Sequence, residues 1–73
     1  MQLVTSRRTI VEKMVRRQAE KLGLSSYSCE HGQQAAVESL HAGASAFRAI
    51  QEGIAAAESK RLMLIIDNVH TAA

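Results

Sequence analysis

Gly23-Leu24-Ser25-Ser26-Tyr27-Ser28 divides an otherwise continuous helical pattern in a chain of 73 residues that contains no proline. Before it, Ile10, Val11, Met14, Val15 and Leu22 recur at helical spacing. Beyond it, Val37, Leu40, Ala44, Phe47 and Ile54 form a second stripe, and Leu62, Ile65, Ile66 and Val69 a third. A glycine just past the last residue of a stripe supplies the left-handed C-terminal cap that a helix needs. The serines after it extend a helix poorly and cap one well, with Ser26 or Ser28 in the capping place. The fold class that follows is all-α. Two or three helices form one small domain over residues 1–73, an αα-hairpin with a short third helix.

The first helix is expected from Ser6 or Thr9 to Leu22. Thr9-Ile10-Val11-Glu12 has the capping-box spacing, while Leu3 and Val4 extend the stripe toward an earlier start. The second is expected over Cys29–Ala57, with Gly43 and Ala44 on its stripe as a place where another backbone comes close. Glu58 would then point into the core, so a bend or break is expected near Ala57–Lys60, with Ser59 as a cap. The third helix runs from Lys60 to about Thr71. A buried strand over Leu62-Met63-Leu64-Ile65-Ile66, paired with Gln2-Leu3-Val4-Thr5, is the alternative; the flanking Ala, Glu, Lys and Arg favour helix. No internal repeat or linker stands out.

Size bounds how such a chain is stabilised. A domain this short buries only about 60% of the surface its unfolded form exposes, and usually needs a disulfide, a metal or a partner subunit. Cys29 is the single cysteine, so no intrachain disulfide forms. Cys29, His31, His41 and His70 have no zinc-site spacing, and no metal ligand is assigned. Self-association is the remaining device: a homodimer is expected, with Phe47, Ile54, Leu62 and Ile66 as core and dimer residues. A lone thiol fits a reducing compartment. With no long apolar segment near Met1 and none long enough to span a bilayer, a soluble, cytoplasmic protein is expected, without a membrane partner.

Charge is unevenly spread. Residues 1–22 carry a balance of +4, from Arg7, Arg8, Lys13, Arg16, Arg17 and Lys21 against Glu12 and Glu20; residues 23–73 carry −2. A basic first helix therefore lies on a mildly acidic body. Such a face is commonly just solvated, or it meets an acidic partner or phosphates.

Chemistry is sparse. Cys29-Glu30-His31 places a thiol beside a carboxylate and an imidazole, but neighbours on a helix point in different directions, and nothing marks an oxyanion hole. A small buried cysteine at a helix start accounts for Cys29 equally well. There is no glycine-rich phosphate loop. No catalytic residue or cofactor is assigned, and an enzyme is not expected.

Gln18-Ala19-Glu20-Lys21-Leu22-Gly23-Leu24-Ser25-Ser26-Tyr27-Ser28-Cys29 resembles the centre of a helix-turn-helix: a small alanine, a glycine four residues later at the turn, then a polar segment. The resemblance covers about 20 residues. It implies that Ser25, Ser26, Tyr27, Glu30 and His31 read DNA, with Arg16, Arg17 and Lys21 near phosphates. Gln18 and Gly32 stand where that pattern carries core aliphatics. A single helix with a glycine cap explains the same residues.

Two functions remain. The first is a non-catalytic regulatory or inhibitory protein that binds another protein through its basic helix, using Arg7, Arg8, Lys13, Arg16, Arg17 and Lys21, and an apolar groove. The second is a DNA-binding transcriptional regulator using the turn between Ala19 and Ser28.

Overall fold

A computed structural model describes residues 6–72, with side chains to Ile66. Its described residues form three helices, α1 (Arg7–Lys21), α2 (Ser26–His41) and α3 (Ala46–Ala72), without a strand. The fold is all-α. Leu3, Val4 and the strand segment Gln2–Thr5 lie outside the described residues, as do the side chains of Val69 and His70. The other half of the strand alternative is helical: Leu62–Ile66 belongs to α3.

Each helix begins on a serine. Ser6 Oγ accepts from the Thr9 amide at 3.1 Å, Ser25 Oγ from Ser28 at 3.2 Å and Ser45 Oγ from Arg48 at 3.2 Å, so each satisfies one of the free amides of a first turn. Thr9 therefore lies inside α1 and Ser6 caps it. Likewise Ser25, not Ser26 or Ser28, caps α2.

The two connections share one chemistry. Gly23 and Gly43 take φ of +79° and +102°, where an L side chain is strained. Leu24 N donates to Ala19 O at 3.1 Å, and Ala44 N to Ser39 O at 3.1 Å, the six-to-one bond of a Schellman ending. Gly23-Leu24-Ser25 and Gly43-Ala44-Ser45 are thus the same device used twice. This corrects the expected second helix over Cys29–Ala57: it ends at His41, and Gly43 makes a turn rather than a close helix crossing. The expected break near Ala57–Lys60 is also absent, and Ser59 caps nothing. Glu58 does not enter the core, because α3 runs through with that side chain exposed.

Close helix approach occurs elsewhere. A β-carbon placed on Gly32 of α2 would lie 2.6 Å from Gly53 O and 2.8 Å from Ala57 Cβ. One placed on Gly53 of α3 would lie 2.8 Å from Gly32 O. The two glycines let the backbones of α2 and α3 touch, and Val15 of α1 sits over both. Around this crossing the core divides in two. Val11, Val15, Ala36 and Ala49 form one cluster, with Leu40, Ala46 and Ile50 against it; Ala19, Leu24, Cys29 and Ala57 form the other.

The core is consequently built of small residues, and several bulky ones lie outside it. Within the first stripe Val11 and Val15 are buried, whereas Ile10, Met14 and Leu22 are exposed. Phe47 is 71% exposed, Ile66 63% and Leu62 57%, and Ile54 is half-buried. As residues of this chain's own core, Phe47, Leu62 and Ile66 are therefore corrected. The physical reason is the close α2–α3 contact, which leaves no interior space for side chains of that volume.

Candidate functional site

On α1, Met14, Arg17, Gln18 and Lys21 recur at three- and four-residue spacing and so share one face. On α3, Ile50 and Ile54 are likewise one turn apart. Together these six residues line a groove of about 350 Å³ between the two helices. Met14, Ile50 and Ile54 supply its apolar surface, and Arg17 and Lys21 bring cations to it. Val15, one residue from Met14, points the other way into the core and fixes how far α1 stands from α3.

The basic residues of α1 divide by what they touch. Arg8 pairs with Glu12 at 3.6 Å. Arg16 is committed to the fold: its guanidinium donates to Glu20 Oε2 at 3.2 Å, Gln33 Oε1 at 3.3 Å and Ser26 Oγ at 3.3 Å. Gln33 Nε2 in turn donates to Glu12 O at 2.9 Å, so this network ties α1 to α2. Among the described residues, Arg7, Lys13, Arg17 and Lys21 form no ion pair. Two of these four, Arg17 and Lys21, line the groove. Arg7 and Arg8 occupy the first turn of α1, which holds no acidic residue. Cations there oppose the helix dipole, so they do not contribute to helix stability.

The segment that resembles a helix-turn-helix lies elsewhere on the surface. Ser25 is the α2 cap, and its hydroxyl also donates to Ser28 Oγ at 3.3 Å. Ser26 accepts from Arg16. Tyr27, 63% exposed, carries Lys60 Nζ over its ring at 5.1 Å from the centroid, a cation–π contact between α2 and α3. Tyr27, Glu30, His31, Gln34 and Lys60 line a separate cleft of about 260 Å³. That cleft shares no residue with the groove containing Arg17 and Lys21. Of the residues assigned to base reading, Tyr27, Glu30 and His31 line this cleft; of those assigned to phosphates, Arg17 and Lys21 line the groove, and Arg16 is hydrogen-bonded to Ser26.

Cys29 is buried, its thiol 3.9 Å from Leu24 O, while the neighbouring Glu30 and His31 are exposed. The three do not meet. Among the described residues no three His, Cys, Asp or Glu side chains gather as a metal site would need. Hydrogen bonds from Ser39 Oγ at 2.8 Å and Arg48 Nε at 3.0 Å hold the Glu52 pKa below the ordinary 4.5. This trio links the end of α2 to the first turns of α3, across the second serine-capped turn. No helix among the described residues is long and apolar enough to cross a membrane.

Ile50, three residues after Phe47 and four before Ile54, fits the helical spacing of the second stripe and lines the groove. Two other features are not evident from periodicity. Gly32 and Gly53 set the helix crossing, and the signal for them was two glycines inside helical segments, where each costs about 1 kcal/mol relative to alanine. The chain matches no protein family, no curated protein and no solved structure.

Proposed function

We propose that this chain is a small non-catalytic regulatory or inhibitory protein that acts by binding another protein in the α1–α3 groove. The observation that carries this is the coexistence, in one groove, of apolar Met14, Ile50 and Ile54 with Arg17 and Lys21, cations that form no ion pair among the described residues. An apolar floor favours an amphipathic segment, and the cations select an acidic one. Affinity would come from burying aliphatic surface, at about 25 cal/mol per Å² before the costs of association. The charges would chiefly set association rate and salt dependence.

The test uses a fluorescent helical peptide with leucines at positions i, i+3, i+4 and i+7 and glutamates flanking them. Anisotropy should report binding to the wild-type chain. Arg17→Glu/Lys21→Glu should weaken that binding about tenfold or more, mainly through slower association, and Arg16→Ala should matter much less. Equal binding by wild type and the charge-reversed variant would overturn the assignment of the groove.

A DNA-binding function has one support: the α1–α2 connection is a glycine-containing turn between two helices, as in a helix-turn-helix, a form the α2–α3 connection shares. It ranks second because Glu30 stands among the residues that would approach the bases and Arg16 is engaged within the fold.

A further inference from the structure

Ile54, Glu58, Arg61 and Ile65 follow one another on α3 at intervals of four, three and four residues. At 3.6 residues per turn they fall within one face about 60° wide. This face differs from the one that carries Ala49, Gly53 and Ala57 into the core. Glu58 and Arg61 are exposed, Ile65 is 46% exposed and Ile54 is half-buried. Among the described residues neither Glu58 nor Arg61 forms an ion pair. From Arg61 to Ile66 every side chain is exposed, so neither α1 nor α2 covers this part of α3.

The spacing is symmetric about the point midway between Ser59 and Lys60. An antiparallel second copy centred there brings Ile54 against the partner's Ile65, and Glu58 against the partner's Arg61, each twice. A parallel copy in register would instead bring like charges together. Apolar ends with opposite charges inside them form a self-complementary pattern, which is what a twofold interface requires. The isoleucines, with Leu62 beside them, supply buried surface, and the charges choose orientation and register. We infer that two copies of this chain pair antiparallel through α3, about a twofold axis between Ser59 and Lys60. Ile54 also borders the groove, so pairing through α3 and a partner in the groove compete for it, whereas Glu58 and Arg61 belong to the pairing face alone.

The test is sedimentation velocity over a concentration series of the full chain, with circular dichroism to establish that each variant keeps its helices. Wild type should dimerise. Glu58→Arg and Arg61→Glu should each weaken self-association by at least about tenfold, because each turns two attractions into repulsions. An equimolar mixture of the two variants should form a heterodimer, since their charges again oppose. A wild-type chain still monomeric at about 1 mM would overturn the inference. So would single variants that associate as wild type does, or a mixture that forms no heterodimer.

Discussion

Replacing Gly32 with alanine sets two effects of known sign against each other. In an isolated helix the change stabilises by about 1 kcal/mol, because alanine has the better helix propensity. In this fold the new methyl would lie 2.6 Å from Gly53 O, 2.8 Å from Ala57 Cβ and 3.3 Å from Val15 Cγ1. The first two neighbours are a backbone carbonyl and a β-carbon, and neither can swing aside. Relief requires α3 to move away from α2 by some tenths of an ångström, which loosens the packing of Val15, Ala36 and Ala49. Overpacking of this kind costs about 1–3 kcal/mol. The larger value is expected here, since both close neighbours are rigid. Set against the helix gain, a net loss of about 1–2 kcal/mol remains. Urea denaturation should show a lower midpoint with an unchanged slope. Heating should show a melting temperature lower by about 4–8 °C for each kcal/mol lost in a domain of this size. A Gly32→Ala variant as stable as wild type, or more stable, would refute the close α2–α3 crossing.

Val15→Ala should cost about 2 kcal/mol, since it removes buried methyls at the junction of all three helices. Phe47→Ala, at a 71% exposed site, should change the stability of the single chain by no more than about 0.5 kcal/mol; chemical denaturation of dilute protein checks both. The lowered pKa of Glu52 gives a pH signature: its carboxylate contributes stability above the unfolded value near 4.5, and that contribution is lost as pH falls through the lower folded value. Glu52→Gln should therefore flatten the acid limb of a stability-against-pH curve below about pH 4.5. An acid limb of unchanged slope would show that the bonds to Ser39 and Arg48 contribute nothing in solution.

The first helix was legible because its signals are local. Ser6 and Gly23 bracket it, and apolar spacing fills the interval. The second connection was hidden, because periodicity runs through it: Leu40, Ala44 and Phe47 keep helical spacing across a turn that interrupts the helix. The signal that marks it is the recurrence of Gly-x-Ser at Gly43, twenty residues after Gly23. At Glu58 the opposite error arose. A charge in the stripe looked like a break, but past Ala57 α3 leaves the core and nothing requires an apolar residue there.

Which residues form the core was the least legible feature. Bulk and hydrophobicity favour Phe47 and Leu62, whereas the helices meet at Gly32 and Gly53, so mostly small residues, valine, alanine and cysteine with Leu24, fill the core around the contact. Displacing large apolar residues outward is also what leaves Met14, Ile50 and Ile54 lining a groove. The basic residues of α1 were legible as a group, but their division was not. Arg16 is bound to α2 through partners as far along the chain as Gln33, a pairing that no local pattern contains.

The most direct test of the groove is an amide chemical-shift titration of the labelled chain with the acidic amphipathic peptide and, separately, with a mixed-sequence DNA duplex. The groove assignment predicts that the peptide shifts Met14, Arg17, Gln18, Lys21, Ile50 and Ile54, and that DNA at physiological salt shifts none of them. Shifts at Ser26, Tyr27, Glu30 and His31 on adding DNA, with the groove silent toward the peptide, would contradict it.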